Sequence, residues 1–377
     1  MREMKTVDEP KNSLRETSKQ RSRARVKRLP FPGQDFKKTP QVSVVIPCYN
    51  YGHYLPAAVE SVLRQETVDV RVIIVDDSST DDSLAIAEAL AVKDNRIRVF
   101  ARHVNGGPVA TFNEGLAAVE GKYIVRLDAD DLLTPGSLLR SVAVAETYPG
   151  VGLVYGHPLH FEGNQLPAPR SKTSKITIWS DRQWLEDICT SGRNVITSPE
   201  VLMRTSVIRR VGGQADLAHT HDMEHWLRIA AFSDVAYLHG VDQAWHREHA
   251  QSLSSREVTG PVDLEQRLLA FQTLFEVWGS EIDPSGSMKL LANKSIARQA
   301  TEAAIHALDA KLPWDEAFAP FRVLVEKSGE TLPASLAAAQ PGDARSAWMS
   351  LRGQWRRLKR GIRHRYSKRR WHRRGVY

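Results

Sequence analysis

Four short apolar runs punctuate the first third of the chain: QVSVVIP at 41–47, VRVIIV at 70–75, IRVFA at 97–101 and YIVRL at 123–127. They are rich in β-branched residues, and turn residues bound them, so they read as strands buried on both faces. Between them the period changes. Leu55, Val59, Val62 and Leu63 recur at helical spacing within 54–65; 83–91 is Ala- and Leu-rich, and a third helical stretch covers 109–119 after the turn N-G-G-P at 105–108. Strand and helix in alternation predict a βαβ array, an α/β fold with helices on both faces of a sheet. In such sheets ligands bind beyond the carboxyl ends of the strands. Three polar clusters fall at those ends: Pro47 to Asn50, Asp76 with Asp77, and Asp128 to Asp131.

The pattern is less regular past residue 150. It predicts a strand at 151–155, a loop through 175, a Trp-bearing helical segment at 178–189, and apolar stretches at 201–204 and 207–211 that run into Gly212 and Gly213. An amphipathic helix starts near His221, with Asp222 in its first turn and Trp226, Ile229 and Ala230 on the buried side. A short strand follows at 236–238. Helices then dominate at 263–278, 287–308 and 314–327, the last bent or split by Pro320. Their Leu, Phe and Ala stripes pack either on the main domain or on another subunit. The chain thus divides into a basic, flexible arm (1–38), an α/β domain (39–260), a helical extension (261–340) and a basic tail (341–377).

Charge sharpens that division. The net charge of the 377 residues is +8, but 352–377 holds twelve Lys or Arg and no acidic residue, and 1–40 carries +7. The middle is therefore acidic, at −11, with a basic segment at either end. In the tail, Trp348, Leu351, Trp355, Leu358, Ile362 and Tyr366 make one apolar stripe among arginines and lysines. That pattern fits a helix lying on an anionic membrane surface, and equally one packed on the acidic body or in a homo-oligomer contact. Charge alone also permits nucleic acid, but no reading motif accompanies it. No apolar run is long enough to span a bilayer, and the start has no signal-peptide core. Two cysteines, Cys48 and Cys189, argue against a disulfide framework and fit a reducing, cytoplasmic setting, with peripheral attachment at the membrane's inner face. Cys48, at a strand end, reads as a packed thiol.

The candidate chemistry centres on L-D-A-D-D at 127–131. Carboxylates crowded at a strand end repel one another and favour a cation between them, and hard oxygen donors suit Mg²⁺ or Mn²⁺ carrying phosphates. The plain alternative is a solvated acidic turn that caps the next helix. No G-x-G-x-x-G follows the first strand and no G-K-[ST] loop occurs, so a bound nucleotide would be held by side chains and a metal. His219, His221 and His225 lack a cysteine partner, which argues against structural zinc.

With these motifs in place the chain resembles a family 2 inverting glycosyltransferase with the GT-A fold, a Rossmann-like mixed sheet flanked by helices, here with a helical C-terminal extension. The resemblance rests on V-V-I-P-C-Y-N-Y at 44–51, V-D-D-S-S-T-D at 75–81, N-G-G-P-V-A-T-F-N-E-G at 105–115, L-D-A-D-D at 127–131, H-D-M-E-H-W-L-R-I-A at 221–230 and R-E-H at 247–249. It implies a nucleotide-sugar donor, most often a UDP-sugar, and a glycan or lipid-linked acceptor. It implies that Pro47, Tyr49, Asn50, Asp76, Asp77 and Asn113 line the donor pocket. Asp128 and Asp130 would form the D-x-D, with Asp130 the direct ligand of Mn²⁺ or Mg²⁺. Arg247 and His249 would close over the diphosphate or the metal, and Asp222 would be the general base. The family's acidic pair before the W-L-R helix reads His221-Asp222 here, which leaves His221 and Trp226 on the acceptor side. The competing class is a non-catalytic sugar-nucleotide-binding or scaffold protein whose basic ends bind lipid or nucleic acid.

Overall fold

A computed structural model describes residues 25–33, 38–249, 260–309 and 319–333. The basic tail, and most of the N-terminal arm, lie outside them. One sheet of ten strands organises the molecule: β1 (Val26–Leu29), β2 (Gln41–Cys48), β3 (Asp69–Asp76), β4 (Ile97–Ala101), β5 (Tyr123–Arg126), β6 (Leu132–Leu133), β7 (Val151–Glu162), β8 (Lys175–Trp179), β9 (Leu202–Arg204) and β10 (Asp234–Glu248). Their spatial order is β1-β8-β10-β7-β9-β5-β2-β3-β4, with β6 paired to β10. The half that holds β5, β2, β3 and β4 is parallel. Short β9 runs antiparallel to both β5 and β7 and joins this half to the other. The sheet is therefore mixed.

Alternate side chains of the central strands feed two separate cores, as the period of two requires. From β2, Val42, Val44 and Ile46 enter one core and Val45 the other; from β3, Val70, Val72 and Ile74 oppose Ile73 and Val75. On the first face pack α1 (Leu55–Leu63), α2 (Ser83–Lys93) and α4 (Ser137–Thr147). On the second lie α3 (Gly107–Ala117), α5 (Gln183–Ser191), α6 (Thr205–Val211) and α7 (His221–Phe232). The helical extension, α8 (Gly260–Ile282), α9 (Ser287–Asp309) and α10 (Ala319–Lys327), joins that second core through Leu264, Leu268, Phe271, Leu274, Ile296 and Leu324. Those stripes thus pack on the main domain. Among the described residues no helix is long and apolar enough to cross a membrane.

Several elements differ from the sequence reading. Residues 175–179, expected in part as loop and in part as helix, are strand β8, and the helix begins at Gln183 after Asp181 and Arg182 take positive φ. The strand expected at 236–238 runs on to Glu248 as β10, past Gly240 at φ 84° and through shifts in register. Such a bend falls naturally at a glycine, which adopts positive φ without a steric cost. Helix α10 is described from Ala319, with Pro320 its second residue; the part of the expected 314–327 helix before 319 lies outside the described residues. Within the arm, Val26–Leu29 pairs with β8, Val26 opposite Trp179.

Candidate active site

The parallel strands β3, β2 and β5 end side by side, so their polar sequels share one edge of the sheet. Cys48 lies opposite Asp76, and the Asp77 N–H donates to the Cys48 carbonyl at 2.8 Å. Burial pushes the Cys48 thiol up to about 11, which suits packing and not nucleophilic attack. Tyr49 is 45% exposed at this edge, beside half-buried Pro47. Asn50 takes a left-handed φ of 57°; its Oδ1 accepts from the Thr80 N–H at 2.7 Å, and its own N–H donates to Ser79 Oγ at 3.0 Å. It thereby ties the loop after β2 to the loop after β3.

Two adjacent aspartates diverge here. Asp77 accepts the Gly106 and Gly107 N–H groups at 2.9 and 2.8 Å and faces Arg102 Nε at 3.0 Å, so it caps α3. Asp76 is 2% exposed; its Oδ2 takes the Ser79 N–H at 3.0 Å, while its buried Oδ1 has no partner. Asn113 grips the backbone of Gln214 in both directions, at 2.9 and 2.8 Å, so its amide is committed to the protein.

The acidic turn meets the far end of β10. Asp130 Oδ2 lies 2.9 Å from His249 Nε2, and Asp131, 1% exposed, accepts the Arg247 N–H at 2.9 Å and contacts His246 Nδ1 at 3.1 Å. Burial opposes charge on His246, but the Asp131 carboxylate overrides it and pushes the imidazole up to about 9. Arg247 is 7% exposed, donates from Nε to the Asp130 carbonyl at 3.1 Å and from Nη1 to the Gly163 carbonyl, and lies over the rings of Tyr54 and Phe161 at 4.4 and 4.5 Å. Expected at a diphosphate, it braces the aspartate turn in this structure. Tyr51 Oη stands 3.5 Å from His249 Nε2. Asp128 is paired with Arg126 Nε at 3.0 Å, and Arg126 Nη1 is in turn held by Gln214 Oε1 at 2.8 Å.

Burial, then the neighbouring Asp131 and Asp128, push the Asp130 carboxyl up to about 6. A site that crowds carboxylates in this way favours an added cation. Among the described residues no group of three or more His, Cys, Asp or Glu side chains encloses a metal site. Asp130 and His249 supply two donors that already meet. That fits Mn²⁺ or Mg²⁺ as an open site, because such ions keep several positions for phosphate oxygens and water.

Helix α7 brings the remaining candidates. The Asp222 carboxylate accepts the Met223 N–H at 2.6 Å and the Ser198 hydroxyl at 3.2 Å. His221 donates from Nδ1 to the Leu217 carbonyl at 3.2 Å; burial, then Arg126, push its pKa down, against the nearby Asp222 and Asp128. Asp128, Arg126, His221 and Asp222 therefore share one charged neighbourhood. Trp226 does not. It is 1% exposed, stacks on His225 at 5.7 Å and belongs to the core, which corrects its expected place on the acceptor side. Its helical stripe claims it. The motifs gave no sign of Arg126, Gln214, Ser198 or His246, except that a charged residue inside the apolar run 123–127 had to find a partner.

Residues 43–209 match the model of glycosyl transferase family 2. That stretch belongs to the family. Glycosyltransferase GlyG of Streptococcus pneumoniae serotype 4 is 41% identical over 92 residues, covering 24% of this chain and 31% of that protein. An uncharacterised glycosyltransferase of Haemophilus influenzae is 24% identical over 232 residues, covering 58% of this chain and 72% of its own length. The hyaluronan synthase of Pasteurella multocida is 36% identical over 112 residues, 30% of this chain and 11% of that protein. Thus the chain spans less than a third of two of these relatives and 72% of the other. Among solved structures, S. aureus TarS 1–349 with UDP-GlcNAc superposes with a TM-score of 0.57 at 18% identity, covering 79% of this chain and 83% of that one. A Pyrobaculum calidifontis mannosyltransferase with GDP-Man and Mn²⁺ gives 0.51 at 16%, over 79% and 86%. These likenesses show the GT-A-like fold. Asp222 and His249 lie beyond residue 209, so their place beside the family 2 glycosyltransferase region rests on the geometry.

Proposed function

We propose that the chain transfers a sugar, with inversion, from a nucleoside-diphosphate sugar to a hydroxyl of a glycan or lipid-linked acceptor. A UDP-sugar is the favoured donor. The observation that carries the reading is the convergence of segments distant in sequence: the acidic turn after β5, His249 beyond β10 and Asp222 on α7. Asp76, with one buried carboxylate oxygen unpartnered, is the donor-side group suited to a base or ribose. Asp222 takes the proton of the acceptor hydroxyl as that oxygen attacks the anomeric carbon, while the bond from that carbon to the diphosphate oxygen breaks. One carboxylate on the face away from the leaving group is sufficient for a single displacement. Mn²⁺ or Mg²⁺, held by Asp130 and His249, would supply positive charge to the leaving diphosphate. Arg126 keeps Asp128 paired, and both lie close enough to His221 to act on its charge, as Asp222 does.

Thermal-shift comparison of UDP, GDP, CDP and dTDP, with and without Mn²⁺, identifies the base, because a ligand that binds only the folded state raises its stability. With the preferred donor, Asp222→Asn and Asp130→Ala are expected to lose turnover by about 10²-fold or more. Wild-type turnover in both would leave a sugar-nucleotide-binding protein without these catalytic roles. The proposal extends to work at the cytoplasmic face of a membrane through the basic segment 352–377. Sedimentation with anionic liposomes tests it: equal binding by the full chain and by one ending at Pro341 would remove the tail from the reading.

A further inference from the structure

Ser198 is the only residue outside glycine to take a φ as large as 115° among the described residues, a conformation that L side chains rarely adopt. Backbone held in such a region persists where the surroundings over-determine it, and these places cluster at functional sites. Here the surroundings are explicit. Glu200, 3% exposed, accepts the Thr197 N–H at 2.8 Å, and the Val201 N–H donates to the Ser198 carbonyl at 3.2 Å, so the turn is closed on both sides of Ser198. Burying a carboxylate for one backbone hydrogen bond is costly, since its other oxygen has no partner. The result of that arrangement is a hydroxyl, on a residue 7% exposed, that donates to Asp222 Oδ2 at 3.2 Å from a separate segment of the chain. The other Asp222 oxygen is fixed by the Met223 N–H at 2.6 Å, so each oxygen has one defined donor.

We propose that Ser198 is a positioning residue that orients the Asp222 carboxylate toward the acceptor hydroxyl, with Glu200 bracing the turn that lets it reach. The inference rests on the reading of Asp222 as general base. A carboxylate free to rotate presents its basic lone pairs in many directions, and small misplacements of a catalytic group are costly in rate.

Glycine separates this role from a structural one, because it adopts the φ of Ser198 without strain and removes the hydroxyl. The test compares full-length wild type with Ser198→Gly, Ser198→Ala and Asp222→Asn, following UDP released from UDP-N-acetylglucosamine and GDP released from GDP-mannose. In Ser198→Gly, thermal stability is expected at or above wild type. Its kcat should fall roughly tenfold with KM nearly unchanged. Ser198→Ala should share the kinetic loss. A Ser198→Gly enzyme with wild-type kcat, beside an inactive Asp222→Asn, would overturn this proposal alone. Wild-type turnover in Asp222→Asn would overturn the general-base reading beneath it.

Discussion

Asp76 and Asp77 show what neighbouring residues of one type can conceal. Both stand at the end of β3, both are 2% exposed, and the sequence offers no means to separate them. The hydrogen bonds separate them at once: Asp77 commits both oxygens to the start of α3, while Asp76 keeps Oδ1 free. Asp77→Ala should therefore lower stability by about 2 kcal/mol, through the lost cap and the unpaired N–H groups. The measurement is a shift of the urea midpoint at constant slope. Asp76→Asn should leave that midpoint nearly unmoved and instead weaken the stabilisation given by the preferred nucleoside diphosphate. If Asp77→Ala leaves the urea midpoint in place, the cap is not energetic. The same distinction applies to Asn113 and Arg247. Their residue types and positions pointed to a ligand, but a protein partner can satisfy an amide or a guanidinium equally well, and only geometry reveals which does.

At the scale of elements, legibility followed regularity. Strands β2 to β5 and helices α1 to α3 were readable because β-branched runs and helical spacing each kept one period from end to end. Strand β10 was not, because Gly240 and the shifts in register break its alternation, and this concealed that His246, Arg247 and the acidic turn share one strand end. Gly115 on α3 marks a close approach of helix to sheet: a Cβ there would sit 2.5 Å from Val45 Cγ1 and 3.0 Å from Val75 Cγ2. Those valines are fully buried and β-branched, so neither can swing away. Gly115→Ala gains about 1 kcal/mol of helix propensity yet forces apart a close-packed face, which costs about 1–3 kcal/mol. We expect a net loss of stability in urea titration. A gain would mean that α3 can lift from the sheet without cost, and the close approach would lose its significance.

The molecule as a whole is two half-sheets joined at β9, and Glu200 stands just before that seam with a buried carboxyl pushed up to about 7 by desolvation. His225, wholly buried on α7, is pushed the other way, down to about 3, by burial and then by Arg228. Their linkages to folding oppose each other. His225 is neutral in the fold but titrates near its ordinary value of about 6.5 when unfolded, so the stability it lends is present above that pH and lost as pH falls toward 3. Glu200 is protonated in the fold well above its ordinary 4.5, so its contribution is complete below that pH and is lost as pH rises through about 7. Between these ordinary values the two slopes offset each other, and above about 7 the Glu200 deficit is at its full extent. A glutamine at that position still offers a carbonyl to the Thr197 N–H but cannot ionise. The stability of Glu200→Gln relative to wild type should therefore rise by roughly 2–3 kcal/mol between pH 5 and pH 8. Other titrating groups are common to both proteins and cancel in the difference. Urea unfolding of both at the two pH values gives the answer, and a relative stability that does not change with pH would show that Glu200 is solvated and ionised at the seam. The Thr197 N–H bond to Glu200 holds the turn that carries Ser198 to Asp222, so the thermodynamics of the fold and the orientation of Asp222 meet at one buried side chain.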